Sequence, residues 1–212
     1  MSAMQRPVVS VEEHPSLAVG LLAARFPSGL ESIPTPAAVR AFADAEASAP
    51  VQRSEELRKA VRDVLRHGGY KPTGRGKPAS EYLVKAATED RFPAINAAVD
   101  VLNVVSLHAG LPISVVDLEL ANAPFRVAIA EPDTEYVFNA GGQTIGVGGL
   151  VCLFDADGPC ANAVKDSQRT KTRDVTTETL SVVWAPTSYA EHLEATLAWY
   201  RELLVAVGAE VA

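Results

Sequence analysis

Residues Phe92 to Asp117 read FPAINAAVDVLNVVSLHAGLPISVVD, and the reading of this stretch decides the fold. Pro93 suits the first turn of a helix, where its missing N–H costs nothing. The spacing predicts a central helix over 95–109, apolar except at Asp100, Asn103 and Ser106. Gly110-Leu111-Pro112 then breaks the helix, and a second apolar run predicts a buried strand over 113–119. Asn103 lies within the apolar run from Val101 to Val105. An unpaired amide there costs about 1–3 kcal/mol, so Asn103 is expected to bond a backbone group, a water or a ligand.

Working outward, the chain alternates helical and extended segments. Pro7 to Val11 alternates and predicts a short strand, while Leu17 to Phe26 fits either a buried strand or a helix. Thr35 is placed to cap a helix that Pro36 opens and that runs to about Ala47. Residues 52–67 predict a second helix with Leu57, Val61, Val64 and Leu65 on one side, ended by Gly68-Gly69. A Gly-, Pro- and Lys/Arg-rich loop follows from Tyr70 to Ala79, and Ser80 is expected to cap the next short helix. Beyond the central stretch, strands are expected at 125–130, 135–139, 150–154, 160–164 and 177–185. A long final helix follows, capped by Thr187 or Ser188 and striped by Leu193, Leu197, Tyr200, Leu204 and Val207. This is an α+β pattern, a mixed or antiparallel sheet packed with helices. It is expected as a single domain over 1–212, with a core at about 70–186, an N-terminal helical elaboration and a C-terminal helix.

Composition narrows the function. Of 212 residues, 48% are hydrophobic and 21% charged, ordinary for a globular protein. No apolar run approaches the roughly 20 residues that span a bilayer. MSAMQRPVVSVEEHP lacks the apolar core of a signal peptide, so the cytoplasm is the expected location. Cys152 and Cys160 are too few for a disulfide framework, and the scattered histidines His14, His67, His108 and His192 pair with neither at metal-ligand spacing. No metal or cofactor is expected.

The net charge of −7 argues against a general nucleic-acid binder, but it is unevenly spread. Arg53 to Arg91 holds 10 basic and 6 acidic residues, and Lys165, Arg169, Lys171 and Arg173 cluster within the acidic remainder. If 169–173 is extended, Arg169, Lys171 and Arg173 project from one face by the period of two. Such segments serve either as a footprint for a phosphate backbone or as a solvated surface.

Local chemistry alone identifies no enzyme. No G-x-S-x-G occurs, and GRGKP lacks the spacing of a phosphate loop. Cys160 has no basic partner nearby in sequence, so it is expected to be structural. Asp155-Ala156-Asp157-Gly158 is accounted for by a hairpin turn. His108, near the end of the central helix, is expected as a C-terminal cation.

The Val99-Asp100-x-x-Asn103 element followed by Gly110-Leu111-Pro112 resembles the B3/B4 domain, the tRNA-binding and editing module of the phenylalanyl-tRNA synthetase β subunit. The likeness covers roughly Tyr70 to Pro186 and favours a strand at 17–26. Lys165-Asp166-Ser167-x-Arg169-Thr170 resembles the D-S-x-R-T element of freestanding B3/B4 proteins. The length leaves no room for a synthetase's own catalytic fold and anticodon reader.

The resemblance implies a site for the aminoacyl end of tRNA, with the ester cleaved by positioned water. Asn103 matches the family's Asn. Ser114 stands where bacterial synthetases carry a His, Ala161-Asn162-Ala163 replaces a Gly-rich pocket lining, and Val183 replaces a Glu that reads the tyrosine hydroxyl. An apolar wall cannot select a hydroxyl, so no preference for tyrosine is expected.

Two function classes follow. In the first, a trans-acting deacylase uses Asn103, Ser114 and Asp166 on the ester, water and amine, with Asn162 and Val183 lining the pocket. Lys165, Arg169, Lys171 and Arg173 hold the RNA, and Asn103 and Ser114 are expected to face one cavity. In the second, the fold is a non-catalytic module for tRNA or a small amino-acid-like ligand. Asp166 either orients substrate or pairs with Lys165 and Arg169 to order its loop.

Overall fold

The computed structural model describes residues 4–212. Ten strands are present: β1 (Val9–Val11), β2 (Leu17–Arg25), β3 (Ile113–Asp117), β4 (Phe125–Ile129), β5 (Glu135–Val137), β6 (Thr144–Gly146), β7 (Val151–Asp155), β8 (Gly158–Asn162), β9 (Glu178–Pro186) and β10 (Glu210–Val211). The α-helices are α1 (Ala37–Arg40), α2 (Glu55–Arg66), α3 (Ala79–Thr88), α4 (Ala97–Ala109) and α5 (Ala190–Ala206). The fold is α+β, as the pattern of elements predicts.

Two four-stranded sheets stack, ordered β1-β4-β7-β8 and β10-β2-β9-β3, with β5-β6 a separate hairpin. The strand β9 is central and buried on both faces. Val183 and Ala185 join the core under α4 and α5, while Leu180, Val182 and Trp184 join the core between the sheets. The layers are therefore helices, sheet and sheet. Gly20 lets α5 approach β2, since a Cβ there would lie 2.9 Å from side-chain atoms of Leu193 and Leu197. Among the described residues no helix is long and apolar enough to cross a membrane.

The decisive stretch folds as helix, turn and strand. Asn96 caps α4, accepting from the Val99 N–H at 3.0 Å, so the helix starts at Ala97, two residues later than the expected 95. Gly110 ends α4 at φ 72°, a left-handed conformation that glycine adopts without steric cost. The Ser106 hydroxyl donates to the Leu111 carbonyl at 2.7 Å and locks the turn.

Several expectations are corrected. The helix from Pro36 stops at Arg40 and continues only as a 3₁₀ turn over Ala41–Ala43. Thr35 does not cap it. Its hydroxyl donates to Asp100 at 2.6 Å, a long-range bond that propensity cannot foresee. Pro78, not Ser80, is the N-cap of α3, and Ser80 is buried inside that helix. Strand β2 resolves the ambiguity at 17–26, pairing along its whole length with β9. It shares a sheet with β3, so the sheet extends beyond residues 70–186. Strands β6 and β10 are too short and polar to have left a periodic signal.

Residues 169–173 are not a strand. Gln168–Thr170 is a 3₁₀ turn, so Arg169, Lys171 and Arg173 do not share the face that alternation predicts. His108 is 1% exposed, bonds the Phe42 carbonyl at 2.8 Å and packs against Phe42 and Trp199. Burial lowers its pKa, so it is a neutral core group and not a helix-end cation.

Candidate functional site

A cleft opens between α3, α4, β3 and residues 162–172, in two lobes that share Ala79, Ile95, Val99, Asn103, Ile113, Val164 and Lys165. One lobe, ≈ 380 Å³, is walled by Tyr82, Leu83, Ala86 and Pro93 and is almost wholly apolar. The other, ≈ 250 Å³, adds Asn162, Asp166, Lys171 and Thr172. Helix α4 supplies Val99 and Asn103 to it from positions one turn apart.

Asn103 is 8% exposed and lines both lobes. Among the described residues no protein group hydrogen-bonds its amide. Asp100, the other polar residue of the helix motif, is bonded by Thr35 and by the Ile95 N–H at 2.7 Å, and so holds the N-terminal segment to α4.

Asp166 lies at the polar lobe. Desolvation pushes its carboxyl up to about 6, against the Asn162 N–H, which donates to it at 3.1 Å, and the Lys171 charge. Asn162 is 2% exposed and builds the loop that carries Asp166. Its side-chain Oδ1 accepts from the Val164 and Lys165 N–H groups at 2.8 and 3.0 Å, and its Nδ2 donates to the Tyr136 hydroxyl. Tyr136 donates in turn to the Lys165 carbonyl at 2.5 Å, and burial raises its phenol pKa.

Ser114 does not face the cavity. Its neighbours Ile113 and Val115 do, and the period of two turns Ser114 to the opposite side of β3. There it donates to the Asn162 carbonyl at 2.9 Å and accepts from Trp184 Nε1 at 3.0 Å. It stands behind Asn162 and Asp166, so the expectation of one cavity shared with Asn103 is overturned. Val183 is also displaced from its expected place: it is 0% exposed, between Gly20 and Ile113 in the sheet, and lines neither lobe.

The basic segment is tied to the protein. Arg169 forms two bonds to Asp155, at 2.8 and 2.7 Å. Lys171 donates to the Phe138 carbonyl at 2.6 Å, and Arg173 bonds Asp117 at 3.0 Å and Glu119 at 3.1 Å. Ser167 and Thr170 complete the D-S-x-R-T element: the Ser167 N–H and the Thr170 hydroxyl both bond the Cys160 carbonyl, at 2.9 and 3.3 Å. Asp166 makes no ion pair with Arg169, which is committed to the hairpin aspartate. Lys165 instead lies over the Phe138 ring, 4.0 Å from its centroid, a contact that no local pattern signals.

Cys152 and Cys160 are buried free thiols, and burial pushes Cys152 up to about 12, so neither is an activated nucleophile. Among the described residues no group of three His, Cys, Asp or Glu side chains is arranged to hold a metal. A further groove at Arg53, Ser54 and Gly110 is bordered by Arg58, Glu55 and Glu81, whose charges pair with one another.

No protein-family model matches the chain, and no curated protein matches it. A solved structure is similar in fold. It is an N-terminal fragment of the phenylalanyl-tRNA synthetase β subunit from Pyrococcus horikoshii, with a TM-score of 0.51 and 11% identity. The match covers 100% of this chain and 52% of that one, so the chain spans about half the length of the fragment. The likeness is one of fold.

Proposed function

We propose that this protein binds the aminoacylated end of a tRNA in the two-lobed cleft and hydrolyses the ester there. The observation that carries the reading is Asn103, whose amide lines both lobes, is open to the cleft and has no protein hydrogen-bond partner. Open to the cleft and bonded to no protein group, its NH₂ is free to donate to an ester carbonyl. The carboxylate of Asp166 complements the ammonium of the amino acid, and the apolar lobe takes its side chain. The fold likeness to a fragment of a tRNA synthetase subunit supports tRNA as the partner.

With both thiols buried and Ser114 behind the cleft, the chemistry rests on water and not on a protein nucleophile. Water attacks the ester carbon, the bond to the ribose oxygen breaks, and that oxygen leaves with a proton as a hydroxyl. Asn103 stabilises the oxyanion and Asp166 holds the amine, so the acceleration comes from positioning and electrostatics. Apart from Asn103 and Lys165 at its border with the polar lobe, the apolar lobe is walled by Leu83, Ala86, Pro93 and Tyr82, whose hydroxyl donates to the Gly74 carbonyl at 3.0 Å, so it favours an apolar side chain.

A second reading is a non-catalytic module for a free amino-acid-like ligand. The internal commitment of Arg169, Lys171 and Arg173, on a chain of net charge −7, favours it. A panel of mischarged tRNAs separates the two. Release above the spontaneous rate for any member, greatest for large apolar residues, supports the hydrolase. tRNA binding or amino-acid binding without release supports the module.

A further inference from the structure

The proposed RNA contact has to be made somewhere other than residues 169–173, whose cations are bonded within the protein. Beside the cleft, and sharing Lys165 with it, is a cavity of ≈ 350 Å³ between the 70–78 loop and the β5–β6 hairpin. It is lined by Arg75, Phe138, Gln143, Thr144, Ile145 and Lys165. Arg75 is exposed and, among the described residues, its side chain makes no hydrogen bond or ion pair. No carboxylate lines the cavity. Lys165 is held over the Phe138 ring at 4.0 Å, and the Lys171 ammonium bonds the Phe138 carbonyl at 2.6 Å. Two cations, Arg75 and Lys165, thus share one cavity with an aromatic ring on an otherwise acidic protein. Desolvation lowers the Lys165 pKa, and the charges of Arg75 and Lys171 add to it.

Cations without a carboxylate attract a polyanion, and a ring among them offers a stacking surface; together these are the parts of a single-stranded RNA site. We propose that the Arg75–Lys165–Phe138 cavity binds a phosphodiester and base of the single-stranded RNA that leads into the cleft. The proposal rests on the reading of the cleft as a site for an aminoacyl-tRNA end. It moves the RNA contact to the GRGKP loop and to a hairpin whose second strand left no periodic signal.

The test is tRNA binding by the full chain, followed by fluorescence anisotropy over a series of salt concentrations, for wild type, Arg75→Ala, Phe138→Ala and the charge control Arg126→Ala. Arg75→Ala is expected to weaken binding about five- to tenfold at low salt and to lower the slope of log K against log salt by about 0.7, one single-strand phosphate contact. Phe138→Ala is expected to weaken binding with less change in slope, and Arg126→Ala to match wild type. Circular dichroism melts establish that each variant is folded. If wild type binds tRNA and Arg75→Ala binds it with the same affinity and slope, this inference is overturned and the reading of the cleft stands. If wild type does not bind tRNA at all, both fall.

Discussion

Arg169 grips Asp155 with two parallel hydrogen bonds, Nη1 to Oδ2 at 2.8 Å and Nη2 to Oδ1 at 2.7 Å. The Asp155 side chain is 0% exposed, and it also accepts from the Asn122 and Asp157 N–H groups. Burial raises its pKa, but the bonds from Arg169 and these N–H groups outweigh that and hold the carboxyl below its usual range. Arg169→Ala leaves a buried carboxylate without its cation. Breaking such a pair costs several kcal/mol, reduced here because Arg169 is 36% exposed, so a loss of about 2–3 kcal/mol is expected in urea unfolding. A variant as stable as wild type would mean that the arginine is a surface charge free for RNA.

Acid should weaken the fold through His108. The unfolded chain binds a proton on this residue near pH 6.5, and the buried imidazole does so only at lower pH. Stability is therefore complete above about pH 6.5 and falls as pH drops through that value. His14 acts in the same direction, lowered by burial and by His67, whose ring lies 4.5 Å away. Melting temperatures are expected to decline between pH 7.5 and 5.5. His108→Gln keeps an N–H donor for the Phe42 carbonyl and should flatten the decline; an equal decline in that variant would exclude His108 as its source.

Asp166 titrates with the opposite sign. Its carboxyl holds a proton up to about pH 6 in the folded protein, against about 3.9 in an unfolded chain. Between these values the folded state binds more protons, so the group adds stability as pH falls. The stability of Asp166→Asn relative to wild type should therefore rise from pH 4 to pH 6.5 and then level off. A difference that stays constant across that range would place the Asp166 carboxyl in an ordinary solvated setting.

How much of this was legible in the sequence depends on how local the cause was. The helix–turn–strand unit at 97–117 was legible because its signals are all short-range: an apolar run, a left-handed glycine and a strand of apolar residues. Asn103 stood out as an amide in an apolar run, and the structure gives it no protein partner. Ser114 was misplaced by one step of alternation, the smallest shift that sends a strand side chain to the other face. Val183 was misplaced because a central strand is buried on both sides, and nothing local says which face meets a cleft. The basic run at 169–173 was misread because the partners of its cations lie far away in sequence, at Asp117, Phe138 and Asp155. The same is true of Thr35, whose partner Asp100 is 65 positions distant.

Asn103→Leu tests the central claim most directly. The replacement keeps the branched shape of the side chain, places its larger methyl groups in the open cleft and orphans no protein partner, so stability is expected to change by no more than about 0.5 kcal/mol. The measurement is hydrolysis of mischarged tRNA, or binding of an aminoacyl-adenosine analogue, alongside the melting temperature of the same preparation. The account predicts loss of hydrolysis or binding by tenfold or more with the melting temperature almost unmoved. A large drop in melting temperature with normal activity in the folded fraction would make Asn103 a structural amide and contradict the assignment of the cleft.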